Sequence, residues 1–309
     1  MQNVLEELPR PGRVAIVRLR SLGDCVLTTP ALALLKRARA DVRVAVVAEP
    51  RFHAVFEDSP DVDEILRPEP GALRRWRADL CLNLHGGTRS AFMTLVSGAR
   101  WRAGFGHFRH QFAYNVHIPR AQEILGVERT MHTAEHLASA IFYLGAPVEE
   151  IPRAKLGLAG QPAAAARPYA VLHPVATAPG KTWRADGFSE VARHIEESGL
   201  EAVFIGAAGD DLRPFSRYRM VQGAPLGQVK TLLAGAALFV GNDSGPAHMA
   251  AAFGIPSVAI FGTSDPAIWG PWRARSEVVT APGGIAGGTV AGVTVAQVLD
   301  ALARLRVHA

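Results

Sequence analysis

The residues best suited to chemistry stand in short glycine-containing segments that follow apolar, β-branched runs. The first is RSLGD, residues 20–24, directly after the run at residues 13–19. Gly23 allows a tight turn, and Asp24 stands at or just before the start of a predicted helix. An aspartate there either caps the helix, which contributes about 1 kcal/mol, or serves as a general base. The segment is neither a Walker loop nor a Gly-x-Gly-x-x-Gly fingerprint, so it does not indicate NTP hydrolysis or NAD binding.

The second segment, GNDSGPAH, also lies between a predicted strand and a predicted helix. Asp243 or Ser244 can cap that helix, and Pro246 suits its first turn. Gly245 allows a ligand to approach the backbone N–H groups at the start of the helix. These N–H groups and the helix dipole both attract phosphate. His248 lies about one turn further on. The alternative interpretation is a well-capped helix with a buried histidine, but the pattern favours an anion site.

Two further loops contain charged residues. Lys181, in VATAPGKTW, can neutralise a phosphate as a point charge, although a lone surface lysine is usually only solvated. Asp210 and Asp211 follow a predicted strand in GAAGDD, where a carboxylate either accepts hydrogen bonds from sugar hydroxyls or caps the next helix. Residue type alone leaves both alternatives open.

Strands and helices alternate along the whole chain, and this pattern must position the loops. In the first half it predicts strands at 13–19, 42–48, 63–66, 79–84 and 100–105, helices at 24–39, 73–77, 90–97 and 132–144, and a loop-rich segment at 106–129. In the second half it predicts strands at 169–173, 202–206, 238–241, 257–261 and 278–280, and helices at 186–198, 210–218, 226–236, 245–253 and 294–304. Residues 158–168 are the predicted linker. The fold class is therefore α/β, with two doubly wound parallel sheets that bind ligands at the carboxyl ends of their strands.

Composition sets the remaining limits. A chain of 309 residues with 49% hydrophobic residues suits two domains with real cores. The net charge of +5 suits an anionic partner, but the basic residues are scattered, so no nucleic acid is expected. Cys25 and Cys81 form neither a disulfide framework nor a metal-ligand set. The first residues lack an apolar run and no apolar stretch reaches membrane-spanning length, so we expect a cytoplasmic protein, peripheral to the inner membrane at most.

Three segments resemble the heptosyltransferases of glycosyltransferase family nine: RSLGDCVLTTPAL, the HP loop that leads to GKTW, and FVGNDSGPAHMAAAFGIPSVAIFGTSDP. The resemblance implies a GT-B fold, in which two Rossmann-like domains face each other across a cleft. Residues 1–160 would form the acceptor side and residues 161–309 the nucleotide-sugar donor side. It also implies inversion at the anomeric carbon, with no cofactor and no required metal.

The resemblance assigns roles by position. Asp24 would deprotonate the acceptor hydroxyl, Lys181 would hold the donor phosphates, and Asp243 would contact the donor sugar. The acidic residue that binds the nucleotide ribose would be Asp210 or Asp211. The full set implied is Asp24 and Lys181 as catalytic residues, and Gly23, Thr182, Asp210, Asp243, Ser244, Gly245, Pro246 and His248 as substrate-binding residues.

The favoured donor is ADP-heptose and the favoured acceptor a lipopolysaccharide-core or other glycan, with transient inner-membrane contact. Relatives often carry a cysteine-containing insert where this chain has a Gly-rich segment at 282–292, and often a glycine where it has Val175. These departures leave the donor open. The alternatives are a GT-B enzyme that uses a UDP- or GDP-sugar, a non-catalytic nucleotide-sugar-binding protein, and a nucleotide-sugar epimerase.

Overall fold

The computed structural model describes residues 3–160, 165–283 and 289–307. The chain divides into two compact units, Met1–Ala159 and Gly160–Ala309. Each unit contains one six-stranded sheet in which every strand pair is parallel. The predicted linker at 158–168 and the Gly-rich segment at 282–292 lie in part outside the described residues.

The first unit begins with a short helix and then alternates strands and helices. Its strands are β1 Arg13–Val17, β2 Arg43–Val47, β3 Glu64–Leu66, β4 Leu80–Asn83, β5 Trp101–Phe105 and β6 Val116–Ile118. Its helices are α1 Val4–Glu7, α2 Leu22–Ala38, α3 Pro70–Trp76, α4 Thr88–Val96, α5 Ala121–Leu125 and α6 Thr133–Tyr143, with 3₁₀ turns at Pro50–Val55 and Gln111–Ala113. The strand order is β3-β2-β1-β4-β5-β6. β1, β2 and β4 are buried along nearly their whole length, as expected for strands covered on both faces.

The second unit repeats this plan. Its strands are β7 Tyr169–His173, β8 Glu201–Gly206, β9 Arg219–Gln222, β10 Leu238–Asn242, β11 Ser257–Phe261 and β12 Ser276–Thr280. Its helices are α7 Ala185–Glu197, α8 Leu226–Ala234, α9 Gly245–Phe253, α10 Pro266–Trp269 and α11 Val295–Leu305, with 3₁₀ turns at Pro179–Lys181 and Arg213–Phe215. The order β12-β11-β10-β7-β8-β9 is the same arrangement as in the first sheet. The prediction of two doubly wound parallel sheets is confirmed.

The shared strand order creates one special place in each sheet. The chain builds outward from the first strand in one direction and then returns to build in the other, so the fourth strand lies beside the first. β1 pairs with β4 in the first unit, and β7 pairs with β10 in the second. Loops that leave these two strands diverge to opposite faces and open a crevice at the carboxyl ends, where doubly wound sheets bind ligands.

Several predicted elements need correction. The helix predicted at 210–218 is wrong, because this segment contains a 3₁₀ turn and leads into β9. Leu212, Phe215 and Tyr218 are buried, and their spacing of three is the 3₁₀ period, not the α-helical one. β9 escaped prediction because it is an edge strand with mostly exposed side chains. The segment at 106–129 is less loop-rich than predicted, since it contains β6 and α5.

The sequence predicted the start of one helix correctly and the start of another incorrectly. Thr294 caps α11 as expected, because its side chain accepts a hydrogen bond from the Gln297 N–H. α2, in contrast, begins at Leu22 and has Ser21 as its N-cap residue. Asp24 is therefore not the N-cap residue itself but the third residue of the helix, where its carboxylate accepts a hydrogen bond from the Ser21 N–H and completes a capping box. None of the described helices combines the length and the apolar composition that crossing a bilayer requires.

The core of the second unit depends on aromatic packing. Phe204 of β8 is fully buried and stacks on Phe215, with ring centroids 4.1 Å apart and planes 11° apart. Phe204→Ala should therefore lower the free energy of unfolding by about 3–5 kcal/mol, because it removes a stacked ring from a packed core. Urea denaturation followed by tryptophan fluorescence measures the loss.

Met220 in the neighbouring strand provides the control, because it is 40% exposed. Met220→Ala should change the unfolding free energy by no more than about 0.5 kcal/mol. Equal losses for the two variants would contradict this description of the core.

Candidate active site

Loops from three adjacent strands of the second unit meet at the carboxylate of Asp243. Lys181, in the 3₁₀ turn after β7, donates from Nζ to Asp243 Oδ2 at 2.8 Å. Ser264, after β11, donates from Oγ to the same oxygen at 2.5 Å. The Asp243 side chain is only 8% exposed, so a nearby positive charge offsets part of the cost of burying it. The two charged residues that the sequence placed in separate loops therefore form one ion pair.

Asn242, the last residue of β10, holds the loop that contains Lys181. Its side chain is fully buried, accepts a hydrogen bond from the Trp183 N–H at 3.0 Å and donates to the Pro174 carbonyl at 2.8 Å. The Trp183 indole is buried and donates to the Val293 carbonyl at 2.8 Å. Sequence reasoning did not single out Asn242, although its place at a strand end beside Asp243 was a usable signal.

The start of α9 differs from the predicted cap. Ser244 is the N-cap residue, but neither it nor Asp243 makes the expected side-chain cap. Instead, Ser244 Oγ lies 3.0 Å from His173 Nδ1 at the end of β7. Gly245 and Pro246 form the first turn, as predicted. The Ser244 side chain thus leaves the first N–H groups of α9, where the helix dipole is positive, to other acceptors.

The side chains of His173 and His248 are largely shielded from solvent. Burial lowers the pKa of His173 to about 4, and the charge of Asp210 offsets this only in part. The imidazole is therefore neutral near pH 7. His248 lies in α9 and is 6% exposed, so it is a buried histidine at the helix start.

The two acidic candidates after β8 have different surroundings. Asp210 Oδ2 accepts a hydrogen bond from the Ala207 N–H at 2.6 Å and lies close to Gly206 at the end of β8. Asp211 is exposed and bonded to Arg213, which lowers the pKa of Asp211 to about 2. Asp210 is therefore the carboxylate that lies at the carboxyl end of β8.

Thr182 lies beside Lys181 but points elsewhere. It is exposed, and its hydroxyl donates to the Ala178 carbonyl at 3.2 Å within the same loop. Its hydroxyl therefore stabilises the turn that contains Lys181.

The first unit places Asp24 at its own switch point, in the first turn of α2. Asp24 Oδ2 accepts hydrogen bonds from the Ser21 N–H at 3.3 Å and the Ser21 hydroxyl at 3.0 Å. Its other oxygen, Oδ1, lies 3.6 Å from Arg18 Nη1. Gly23 is buried in the same turn. The Asp24 side chain remains 22% exposed, so part of the carboxylate is accessible to a ligand.

Arg18 is a functional candidate that the sequence reasoning missed. Its side chain is 7% exposed, and Nε has no hydrogen-bond partner within the described ranges. Burial lowers the pKa of the guanidinium, while Asp24 raises it. An arginine directly after a buried strand, six residues before an aspartate, was the available signal.

His85 follows β4 on the neighbouring side of this switch point. The Asn83 side chain accepts hydrogen bonds from the N–H groups of His85 and Gly86 at 2.9 and 3.1 Å. Burial lowers the pKa of His85, and the positive charge of Arg18 lowers it further. Arg18, Asp24 and His85 thus come together from the loops after β1 and β4.

Metal ligands were not found at either switch point. Within residues 3–160, 165–283 and 289–307, no group of three or more His, Cys, Asp or Glu side chains could hold a metal ion. The Asp-x-Asp sequence at 61–63 lies at the amino side of the first sheet, where Asp63 accepts hydrogen bonds from Lys36 and the Val44 N–H.

Comparison with known proteins gives one matching family. Residues 71–284 match Glycosyltransferase family 9 (heptosyltransferase). Lipopolysaccharide heptosyltransferase 3 of Escherichia coli K12 is 25% identical over 291 residues, which cover 82% of this chain and 83% of that protein. Lipopolysaccharide heptosyltransferase 1 of Pseudomonas aeruginosa is 26% identical over 304 residues, with 86% and 82% covered.

Solved structures show the same architecture. A family 9 glycosyltransferase from Veillonella parvula superposes with a TM-score of 0.83 at 21% identity, covering 95% of this chain and 97% of the other. The E. coli heptosyltransferase WaaC with ADP gives a TM-score of 0.79 at 21% identity, covering 95% and 99%. These likenesses confirm the predicted GT-B fold.

The lowered pKa of His173 predicts a pH-dependent stability. An unfolded histidine has a pKa of about 6.5, above the folded value of about 4, so the unfolded state binds more protons between these values. Stability is complete above pH 6.5 and falls as the pH drops towards 4. His173 alone should account for about 2 kcal/mol between pH 7 and pH 5.

His173→Gln should remove that share of the pH dependence, measured as urea unfolding free energies at the two pH values. His194→Gln is the matched control, because His194 is exposed on α7. An unchanged pH dependence in His173→Gln would contradict a neutral His173 in the folded protein.

Proposed function

The chain belongs to glycosyltransferase family 9, the heptosyltransferase family, and on this premise we propose that it transfers a heptose from ADP-heptose to a lipopolysaccharide-core acceptor with inversion at the anomeric carbon. The second unit, residues 161–309, would bind the donor, and the first, residues 1–160, the acceptor. Relatives named lipopolysaccharide heptosyltransferase and the ADP held by WaaC support this choice of substrates. The observation that carries the proposal is the Lys181–Asp243 pair beside the start of α9.

On the donor side, the diphosphate would lie at the first turn of α9. The N–H of Gly245 and the positive end of the helix dipole favour an anion there, and Pro246 removes no donor that the helix would use. Ser244 and His248 would lie around the diphosphate, and the ammonium of Lys181 would supply a positive charge beside it. Charge builds up on the leaving diphosphate as the glycosidic bond breaks, and fixed donors placed there lower the barrier.

The remaining donor contacts follow from position. Asp243 would accept hydrogen bonds from hydroxyls of the heptose, next to Lys181. Asp210, not Asp211, would accept from the ribose, because its carboxylate lies at the sheet edge. Thr182, in the same loop as Lys181, would also contact the donor.

On the acceptor side, Asp24 would act as the general base, beside Gly23. The acceptor oxygen attacks the anomeric carbon from the face opposite the diphosphate, its proton passes to Asp24, and the electrons of the breaking C–O bond leave with ADP. One displacement of this kind inverts the configuration. Arg18 fixes one carboxylate oxygen and Ser21 the other, so Asp24 has a defined orientation before the acceptor arrives. An acceptor linked to lipid would also require transient contact with the inner membrane.

The identity of the donor is tested by thermal stability in the presence of ADP, ADP-heptose, UDP, GDP or CDP. A ligand at about 100 times its Kd adds about 2.7 kcal/mol to the folded state, which raises Tm by several degrees. ADP and ADP-heptose should stabilise the protein selectively. Lys181→Met should weaken both by about tenfold or more, because it removes a charge-assisted hydrogen bond to phosphate.

Lys155→Met serves as the control, because Lys155 is an exposed lysine of the first unit. Each shift is read against the same variant without ligand, since Lys181→Met leaves Asp243 without its ion-pair partner. Selective stabilisation by UDP or GDP would replace the donor while keeping the reaction type. No response to any nucleotide would refute the donor site.

The base is tested by Asp24→Asn, which preserves shape and removes the basic oxygen. ADP release in the presence of ADP-heptose and a core acceptor should fall by about 10²–10⁴, while the thermal shift with ADP stays unchanged. NMR of the native product should show the inverted anomer. Asp41→Asn is the control, because Asp41 follows the opposite end of the same helix. Retained turnover in Asp24→Asn would remove Asp24 from the role of base.

A further inference from the structure

The outer face of α4 is apolar. The helix buries Ala91, Met93 and Thr94 against the first unit. Phe92 and Leu95 point the other way, with 52% and 41% of their surfaces exposed. Residues three apart lie on one side of a helix, so these two side chains form a continuous apolar surface. Contiguous exposed apolar residues mark interaction sites, whereas single ones do not.

A third exposed side chain lies beside this helix. Phe112, in the 3₁₀ turn Gln111–Ala113, is 73% exposed. Its neighbour Ala113 is buried in one cluster with Ala91 of α4. His110 links the same turn to the first residue of α4, because its Nε2 lies 2.9 Å from the Thr88 hydroxyl. We call Phe92, Leu95 and Phe112 the docking patch.

Basic residues lie next to the docking patch. Arg89 lies on the same helix face, three residues before Phe92, and its side chain is 59% exposed. Arg109 is exposed in the chain that leads to Phe112. Arg89 also lines a cavity with Arg51, Arg67, Glu49 and Glu69. Glu49 pairs with Arg51 at 2.8 Å and lies 3.8 Å from Arg89. The four arginines still exceed the two glutamates, which suits an anionic surface.

The helix that contains Phe92 and Leu95 starts at the edge of the first sheet that also presents Asp24. α4 starts directly after the loop that leaves the carboxyl end of β4, and β4 pairs with β1. Asp24 lies in the first turn of the helix that follows β1. Phe92 is the fifth residue of α4 and Leu95 the eighth, so a surface that contacts the docking patch lies about one to two helical turns from the edge that presents Asp24.

We propose that the docking patch binds the surface of an anionic lipid bilayer. The apolar side chains enter the interfacial region while the arginines contact headgroup phosphates, which is how amphipathic surfaces bind membranes without crossing them. The inference deepens the proposed function, on which it rests for a lipid-linked acceptor. Docking at this edge brings the sugar of such an acceptor to Asp24.

The test is co-sedimentation of the full chain with vesicles of phosphatidylcholine and phosphatidylglycerol, and with vesicles of phosphatidylcholine alone. The native protein should bind the anionic vesicles, and less strongly as salt is added. The double variant Phe92→Ser/Phe112→Ser should bind at least about tenfold more weakly, because the variant lacks the two aromatic rings that the native protein transfers from water into the bilayer interface. Arg89→Gln/Arg109→Gln should lose the preference for anionic vesicles.

The matched control is Met220→Ser/Val278→Ser, which removes two apolar side chains that are 40% and 38% exposed on the second unit. It should bind vesicles as the native protein does. The proposal fails if the native protein does not bind anionic vesicles, or if the docking-patch variant binds them as well as the native protein does. It also fails if sedimentation shows that the native protein is a dimer and that the docking-patch variant is a monomer. The last result would identify a second copy of the chain as the occupant.

A second readout separates this proposal from the proposed function. The Tm shift with ADP and the transfer to a delipidated acceptor should be the same in the docking-patch variant and the native protein. If ADP has no effect even on the native protein, the proposed function fails, while the vesicle measurement still decides whether the docking patch binds lipid.

Discussion

The hydrogen bonds of two buried asparagines fix the loops on which both candidate sites depend. Asn242 ends β10 and bonds to the backbone of Trp183 and Pro174 on either side of Lys181. Asn83 ends β4, the corresponding strand of the first unit, and bonds to the backbone of His85 and Gly86. Both side chains are fully buried, so leaving their partners unpaired would cost the full penalty of burying polar groups. An amide can donate and accept at once, which lets one side chain hold a loop from two directions.

These asparagines occupy equivalent places because the two sheets share one strand order. In each unit the fourth strand returns to lie beside the first, and the loops after these two strands diverge. Asp24 follows β1 and His85 follows β4, just as Lys181 follows β7 and Asp243 follows β10. The chemistry of the two regions differs, but the same topology selects the loops that carry it.

Much of this arrangement could be predicted from sequence, and the failures have physical reasons. The bounds of β7, α9 and β11 match the predicted 169–173, 245–253 and 257–261, because continuous apolar runs bounded by Gly and Pro leave little freedom. β9 was missed, because an edge strand has no buried face to impose a pattern.

The hydrogen-bond and ion-pair partners of side chains were less predictable than the helices and strands. The sequence marked Asp24 and Asp243 as candidates, but their bonds to Arg18 and Ser264 depend on loops meeting in space. The docking patch escaped detection for the same reason. Leu95 and Phe92 come from a helix and Phe112 from a separate turn, so neither segment alone shows the whole apolar surface.

The geometry around Asp243 constrains how a sugar diphosphate would bind. On the proposed function, a diphosphate at the start of α9 would bring negative charge near the Asp243 carboxylate. Two unit charges 4 Å apart repel by about 4 kcal/mol at an effective dielectric constant of 20, whereas a helix N-terminus supplies only about half a positive charge. Lys181 is the group that resolves this conflict, because its ammonium already contacts Asp243 and has two further protons to donate. Phosphate oxygens would therefore bind on the Lys181 side, and sugar hydroxyls, which can donate to a carboxylate, on the Asp243 side.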